Sequence, residues 1–333
     1  MSDTPRLTET SLAGLGRDDW LNAVAGVIGP HGGLESLGPD HNAALVRAGD
    51  TLLVTFESIQ GIAALSDTAH PLGWELAEAW GWSHLALISD GDTWFRDRAV
   101  YGYFDRLVDD GFFEEFDRVI YYGAGPCGYA AAAFSVAAPG ARVLAVQPQA
   151  TLDARLTEWD DRFVHMRRTS FSDRYGYAPD MLDAADHAFI LYDPYEALDA
   201  MHATLFEAPN VTRLRLRNMG GAIQGDLIAL DLLYPLVEAV ADETLTRPRF
   251  AEMLRLRRNH GPYIQRLMAR LAAQDRPMLE MAVCRNALTR IRGPRIRRRL
   301  RVLEEKFAPP EDTDSPGDGG GESGGGDTPR DDA

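Results

Sequence analysis

The residues best placed by type and spacing to do chemistry lie between Ile120 and Phe134, IYYGAGPCGYAAAAF, where an apolar run meets a Gly-rich turn and then an alanine helix. A strand that ends in G-x-x-x-x-G and opens directly into a helix has two common uses. One is a phosphate turn, whose backbone N–H groups and helix N-terminus cradle an anion. The other is a nucleophile elbow, where small residues let strand and helix pack closely beneath a raised nucleophile. Here the apex falls on Gly125, and the turn's only nucleophile is Cys127. A thiol in the first turn of a helix gains acidity from the dipole and nearby N–H groups, which makes Cys127 a candidate. Its register argues the other way: two positions past the apex a side chain turns into the packing, where small buried cysteines are common. A base would come from His84, His187 or His202, and His202 shares a helix face with Leu198 and Leu205 that reads as packing.

A second group of polar residues lies in SDGDTWFRDR, 89–98, with Asp90, Asp92 and Asp97 near the end of a predicted strand. Hard cations want several carboxylates, but alternating acids in a loop are ordinarily solvated, and no metal is expected here. Trp94 and Phe95 either line a pocket or anchor the loop by burial. The two cysteines, Cys127 and Cys284, form no CxxC or zinc spacing, so neither a disulfide framework nor structural zinc is expected.

The elements that must hold these residues are legible from residue 51 onward. Short apolar runs at 51–58, 84–90, 118–123, 142–148, 187–193 and 211–217 alternate with helical stretches at 72–80, 100–113, 128–137, 195–206 and 225–243. Several of the runs are apolar on both faces, as buried parallel strands are. The alternation predicts an α/β fold with a doubly wound, mostly parallel sheet, whose ligands sit at the carboxyl ends of the strands. After Thr246 only amphipathic, Arg-rich helices follow, punctuated by Gly261-Pro262, Pro277 and Gly293-Pro294. The expected organisation is an N-terminal helix and Gly-rich connector over 1–45, a sheet domain over 46–245, a helical appendage over 246–307 and a disordered acidic tail over 308–333.

The 333 residues carry a net charge of −16, unevenly spread. Residues 1–250 hold 18 basic and 37 acidic side chains, 251–306 hold 15 and 5, and 307–333 hold 1 and 8. The five arginines of GPRIRRRLR could meet a phosphate backbone or an anionic surface. The acidic remainder of the same chain offers them partners already, so nucleic-acid binding through 285–301 is not expected. No apolar run reaches the roughly 18 to 20 residues of a membrane span, and the N-terminus lacks the layout of a signal peptide, which points to a cytoplasmic protein.

The unit RVIYYGAGPCGYAAAAFSVAAPGARVLAVQPQ, 118–149, resembles a group of α/β-hydrolase-fold proteins, many linked to bacterial surface-polysaccharide biosynthesis, in which the elbow reads GSSMGGYAA and the next strand ends in PQ. The strand ending near Asp90 with Trp94-Phe95 behind it, and the downstream YDPYEALDAMHA, are similar to that group too. The resemblance covers roughly 50–235 and implies a sheet of α/β-hydrolase type with a C-terminal helical appendage. Carried over by position, it puts Gly125 where the nucleophilic serine stands, Cys127 on the following glycine, and Gly220 and Gly221 where the histidine would come. Asp193 then remains as an acid with no histidine to orient.

Three readings follow. The first is a catalytically degenerate hydrolase relative with a binding or accessory role, in glycan metabolism by resemblance. It needs no cofactor and takes a small anionic or carbonyl ligand near Gly123, Gly125, Cys127, Gly128, Asp90 and Trp94. The second is an active thiol hydrolase or acyltransferase with Cys127, His202 and Asp193. The third is a nucleotide-dependent reductase of the adenylyl-sulfate type, which needs an SGGxDS-like phosphate loop, whereas ISDGDTW, 88–94, sets two carboxylates where phosphate would lie.

Overall fold

The computed structural model describes residues 6–307, so the expected tail over 308–333 lies outside the described residues. Eight strands form one sheet: β1 (Gly32–Ser36), β2 (His41–Val46), β3 (Thr51–Ser58), β4 (Ser83–Ser89), β5 (Arg118–Ala124), β6 (Arg142–Val146), β7 (His187–Tyr192) and β8 (Val211–Arg215). Their order across the sheet is β1-β2-β4-β3-β5-β6-β7-β8. β2 runs antiparallel to both β1 and β4, and every pairing from β4 to β8 is parallel. The fold is of α/β-hydrolase type, with the strand–turn–helix unit at Gly125 on a central strand.

The six runs read from the sequence are β3 to β8, each shifted by no more than two residues at either end. Where a Gly-rich connector is expected before residue 46, the chain instead forms β1 and β2, so the sheet begins at Gly32. β2 is buried through His41 and Asn42, and the His41 ring Nε2 lies 2.8 Å from Thr93 Oγ1. The single helix expected over 225–243 is two, Ile223–Ala229 and Leu233–Ala241, separated at Asp231, whose φ of 53° breaks the helical run.

Parallel strands in the middle of a sheet must bury both faces, and they do. One face carries Leu52, Val54 and Phe56 of β3 against Phe104, Phe134 and Tyr129. The other carries Ala86 and Ile88 of β4 against Trp20, Val24 and Trp74.

The chain divides into two compact units, the first ending at Arg270 and the second beginning at Leu271, later than the boundary at 246 read from the sequence. In the second unit the helices Pro277–Leu288 and Pro294–Lys306 are joined by a bidentate pair, Arg299 to the buried Glu280 at 2.7 and 2.8 Å, and by Arg285 to Glu304 at 2.8 Å. No helix among the described residues is long and apolar enough to cross a membrane.

Candidate functional site

β5 ends at Ala124, and the helix Pro126–Phe134 starts two residues later. The link is Gly125, at φ 58° and ψ −125°, a region that L side chains enter only under strain. Its N–H donates to the Val146 carbonyl at 2.8 Å and its carbonyl accepts from Tyr129 N–H at 3.0 Å, so the apex is fixed from both sides. A Cβ at Gly125 would have nothing within 4 Å. At Gly123 the reverse holds, since a Cβ there would overlap the Cys127 carbonyl and the Gly128 nitrogen. Gly123→Ala is therefore expected to cost about 3 kcal/mol in thermal unfolding, because backbone rather than a flexible side chain must give way. A loss below about 1 kcal/mol would mean the turn is softer than its geometry implies.

Pro126 occupies the first helical position, where a missing N–H is usually harmless. In an elbow it is not neutral. The N–H of the residue after the apex is one of the two donors that stabilise an oxyanion in this fold, and proline has none.

Cys127 does face a cavity, of about 640 Å³, that opens at the carboxyl ends of β3, β4 and β5. Burial pushes its thiol pKa well up, and the nearby carboxylates of Glu57 and Asp92 push it further the same way. Desolvation and like charge thus work against the thiolate that a helix N-terminus favours. The other two members of the thiol reading lie elsewhere. His202 is fully buried, donating from Nε2 to Asp160 at 2.9 Å and accepting the Ala150 N–H on Nδ1 at 3.1 Å. Asp193 is buried and accepts from the N–H groups of Gly220 at 2.7 Å and Tyr195 at 3.0 Å. The acid thus fastens the glycine loop that follows β8.

Of the six residues expected around a ligand, Cys127 and Trp94 line the cavity. Gly123, Gly125 and Gly128 serve the turn and its packing instead. Asp90 accepts from Gln60 at 2.8 Å and pairs with Arg17 at 2.9 Å, while Asp97 caps the helix Arg98–Asp109. The three acids of 89–98 therefore do separate work, and no group of three metal-ligating side chains occurs among the described residues. Trp94 is fully buried, with φ at 50° and its indole N–H donating to Gln149 at 3.3 Å.

The residues that sequence reasoning passed over are Glu57 and its neighbours. Glu57, the penultimate residue of β3, stands on the cavity wall, where its carboxylate accepts from Thr55 Oγ1 at 2.6 Å and from Leu72 N–H at 3.0 Å. Thr55 Oγ1 in turn lies 2.8 Å from His84 Nε2. With the threonine donating to the carboxylate, His84 must donate from Nε2, which leaves its buried Nδ1 bare and without a partner. Burial raises the Glu57 pKa to about 7 against both hydrogen bonds, and burial lowers His84 to about 3. The cavity's one histidine, His70, uses both ring nitrogens, on Thr10 carbonyl at 2.7 Å and Thr68 Oγ1 at 3.0 Å.

No family model matches this chain, and no curated protein does. Among solved structures, the chain is similar to an esterase of Pyrobaculum calidifontis (15% identity, covering 68% of this chain and 91% of that one, TM-score 0.41). It is similar also to the capsule O-acetyltransferase of Neisseria meningitidis serogroup A (12% identity, 62% and 94%, TM-score 0.37). A third likeness is to the acylaminoacyl peptidase of Pyrococcus horikoshii (8% identity, 63% and 41%, TM-score 0.41), less than half of whose length is spanned. The likeness is one of fold, and the chemistry of this cavity rests on its own residues.

Proposed function

We propose that this chain is a catalytically degenerate relative of the α/β hydrolases that holds a small ligand in the cavity above β3, β4 and β5 rather than turning one over. The observation that carries this is the pair Gly125-Pro126. The strained apex conformation is kept, yet the position has no side chain, and the residue behind it has no N–H for an oxyanion. An elbow donor of that kind contributes roughly 10² to 10³ in rate, and here it is missing together with the nucleophile. Asp193 is satisfied by backbone, His70 by its two partners, and the Cys127 thiol is held protonated by burial and the acids beside it.

The anionic ligand suggested by the helix N-terminus meets a wall of acids, among them Glu57 and Asp92, so a neutral or cationic ligand suits the site better. The setting in surface-polysaccharide metabolism is attached by the resemblance of the elbow segment alone.

The test is turnover of p-nitrophenyl acetate and butyrate by the full chain, with a fluorophosphonate and iodoacetamide as active-site labels. Neither ester should be cleaved above the buffer rate, and neither label should react fast. Gly125→Ser should fold, since its Cβ meets open space, at a cost of about 1–3 kcal/mol for the strained backbone, and should remain inactive. Turnover by the unmodified protein that disappears in Cys127→Ser would overturn this reading in favour of a thiol enzyme.

A further inference from the structure

The helix Pro294–Lys306 carries an arginine face that the described residues leave short of acids. Ile296 and Leu303 turn one side of this helix inward, and Arg299 reaches the buried Glu280 from beside them. Arg295 and Arg298 are three positions apart, Arg297 and Arg301 four, so these four share the other, exposed side. Arg292 stands exposed just ahead of the helix. Arg301 has a long pair with Glu305, at 3.7 Å. Among the described residues, Arg292, Arg295, Arg297 and Arg298 are in no ion pair at all.

Left so, the face is unfavourable to its own helix. Like charges three and four positions apart repel, and cations in the first turn oppose the helix dipole. No side chain caps the N-terminus at Gly293, and no acid stands in the first turn. Such a face calls for several carboxylates or phosphates, with which guanidinium groups pair bidentately.

The nearest carboxylates in sequence are the chain's own. Residues 308–333 follow the helix directly and hold eight acidic side chains against one arginine. From Lys306 back to Arg295 the helix rises about 16 Å, a distance that about five extended residues cover. Glu311, Asp312, Asp314 and Asp318 stand five to twelve positions past Lys306, within that reach. A short tether holds its acids at an effective concentration in the millimolar range, so exposed pairs worth less than about 1 kcal/mol each suffice together.

We propose that the acidic segment 308–333 docks on this face, running back along the helix so that its carboxylates meet Arg301, Arg298, Arg297 and Arg295. The surface is one for an acidic polypeptide, and the chain carries that polypeptide itself. A nucleic acid approaching the same arginines has to displace it.

The test is paramagnetic broadening in the full chain, with a nitroxide at Ser315→Cys and with Cys127→Ser, which leaves only the fully buried Cys284 as a second thiol. At about 20 mM salt the backbone amides of Arg295, Arg297 and Arg298 should lose at least about half of their intensity, and at about 0.5 M salt they should recover it. Exchanging every acid of 308–333 for its amide should restore them at low salt, as should Arg295→Gln, Arg297→Gln and Arg298→Gln together. The salt series on the unsubstituted arginines decides the matter even if the triple variant fails to fold. Broadening that is absent, or the same at both salt concentrations, would overturn the proposal. A labelled DNA duplex should bind the acid-neutralised chain at least about tenfold more tightly than the chain with its acids intact. Equal binding of that duplex to both would mean that the face stands open to nucleic acid, and would overturn the proposal too.

Discussion

Replacing Arg162 with alanine is expected to destabilise the fold by roughly 3 kcal/mol, the lower end of the range for breaking a buried ion pair, because the guanidinium is itself one-third exposed. Arg162 bridges two buried carboxylates, Asp160 at 2.8 Å and Asp199 at 2.6 Å. Behind them, His202 donates to Asp160, and Gln147 donates to Asp199 at 2.7 Å while accepting the Ile223 N–H at 3.0 Å. The network ties the loops after β6 to the helices Ala197–Leu205 and Ile223–Ala229. Lysine at 162 reaches one carboxylate and recovers only part of the loss. Burial alone would raise the Asp160 pKa, but hydrogen bonds from His202 and Arg162 outweigh it and hold the carboxyl below the usual range. A carboxyl depressed in the folded state lends stability that is present above its ordinary pKa and lost as the pH falls. The deficit of Arg162→Ala should therefore be read by urea unfolding at pH 7, where it is largest. A loss under about 1 kcal/mol there would show that the network is ornamental.

Glu57→Gln should have the opposite sign. At pH 8 the variant is expected to be more stable than the unmodified protein by up to about 3 kcal/mol, and at pH 5 by less than about 1 kcal/mol. The Glu57 pKa is raised to about 7 in the folded chain from an ordinary 4.5. A group raised on folding gives stability that is whole below its unfolded pKa and is lost as the pH rises through the folded one. Above pH 7 the fold therefore carries a partly buried charge that glutamine lacks. The amide fits the same bonds: its oxygen accepts from Leu72 N–H and its nitrogen donates to Thr55, whose hydroxyl then donates to His84 Nε2. Thermal unfolding of both proteins at the two pH values decides this, and identical differences at pH 5 and 8 would refute the raised pKa.

β3 to β8 were readable because each is a short, nearly continuous apolar run closed by turn residues. β2 was not, because HNAALV opens with two polar residues that the fold buries. β1, GGLES, is an exposed edge with no apolar pattern to see. The elbow could be placed to the residue, since a turn that demands glycine leaves its mark in sequence. His202 read as packing from the helix face that it shares with Leu198 and Leu205, but its partner Asp160 is 42 positions away and shows only in three dimensions. The cavity was out of reach for the same reason: Glu57, Glu75 and Tyr234 come from a strand and two helices far apart in the chain, and their types carry no spacing that announces a site.

On the reading proposed above, Pro126 also sets how far this chain stands, in mutational steps, from an esterase. Serine at 125 would recover a hydroxyl at the apex, but it would meet neither an oxyanion N–H behind it nor a histidine beside it, and would confer no activity on which selection could act. At least three exchanges, at 125, at 126 and in the loop around Gly220, would have to accumulate before the first turnover, the first of them at a cost in stability.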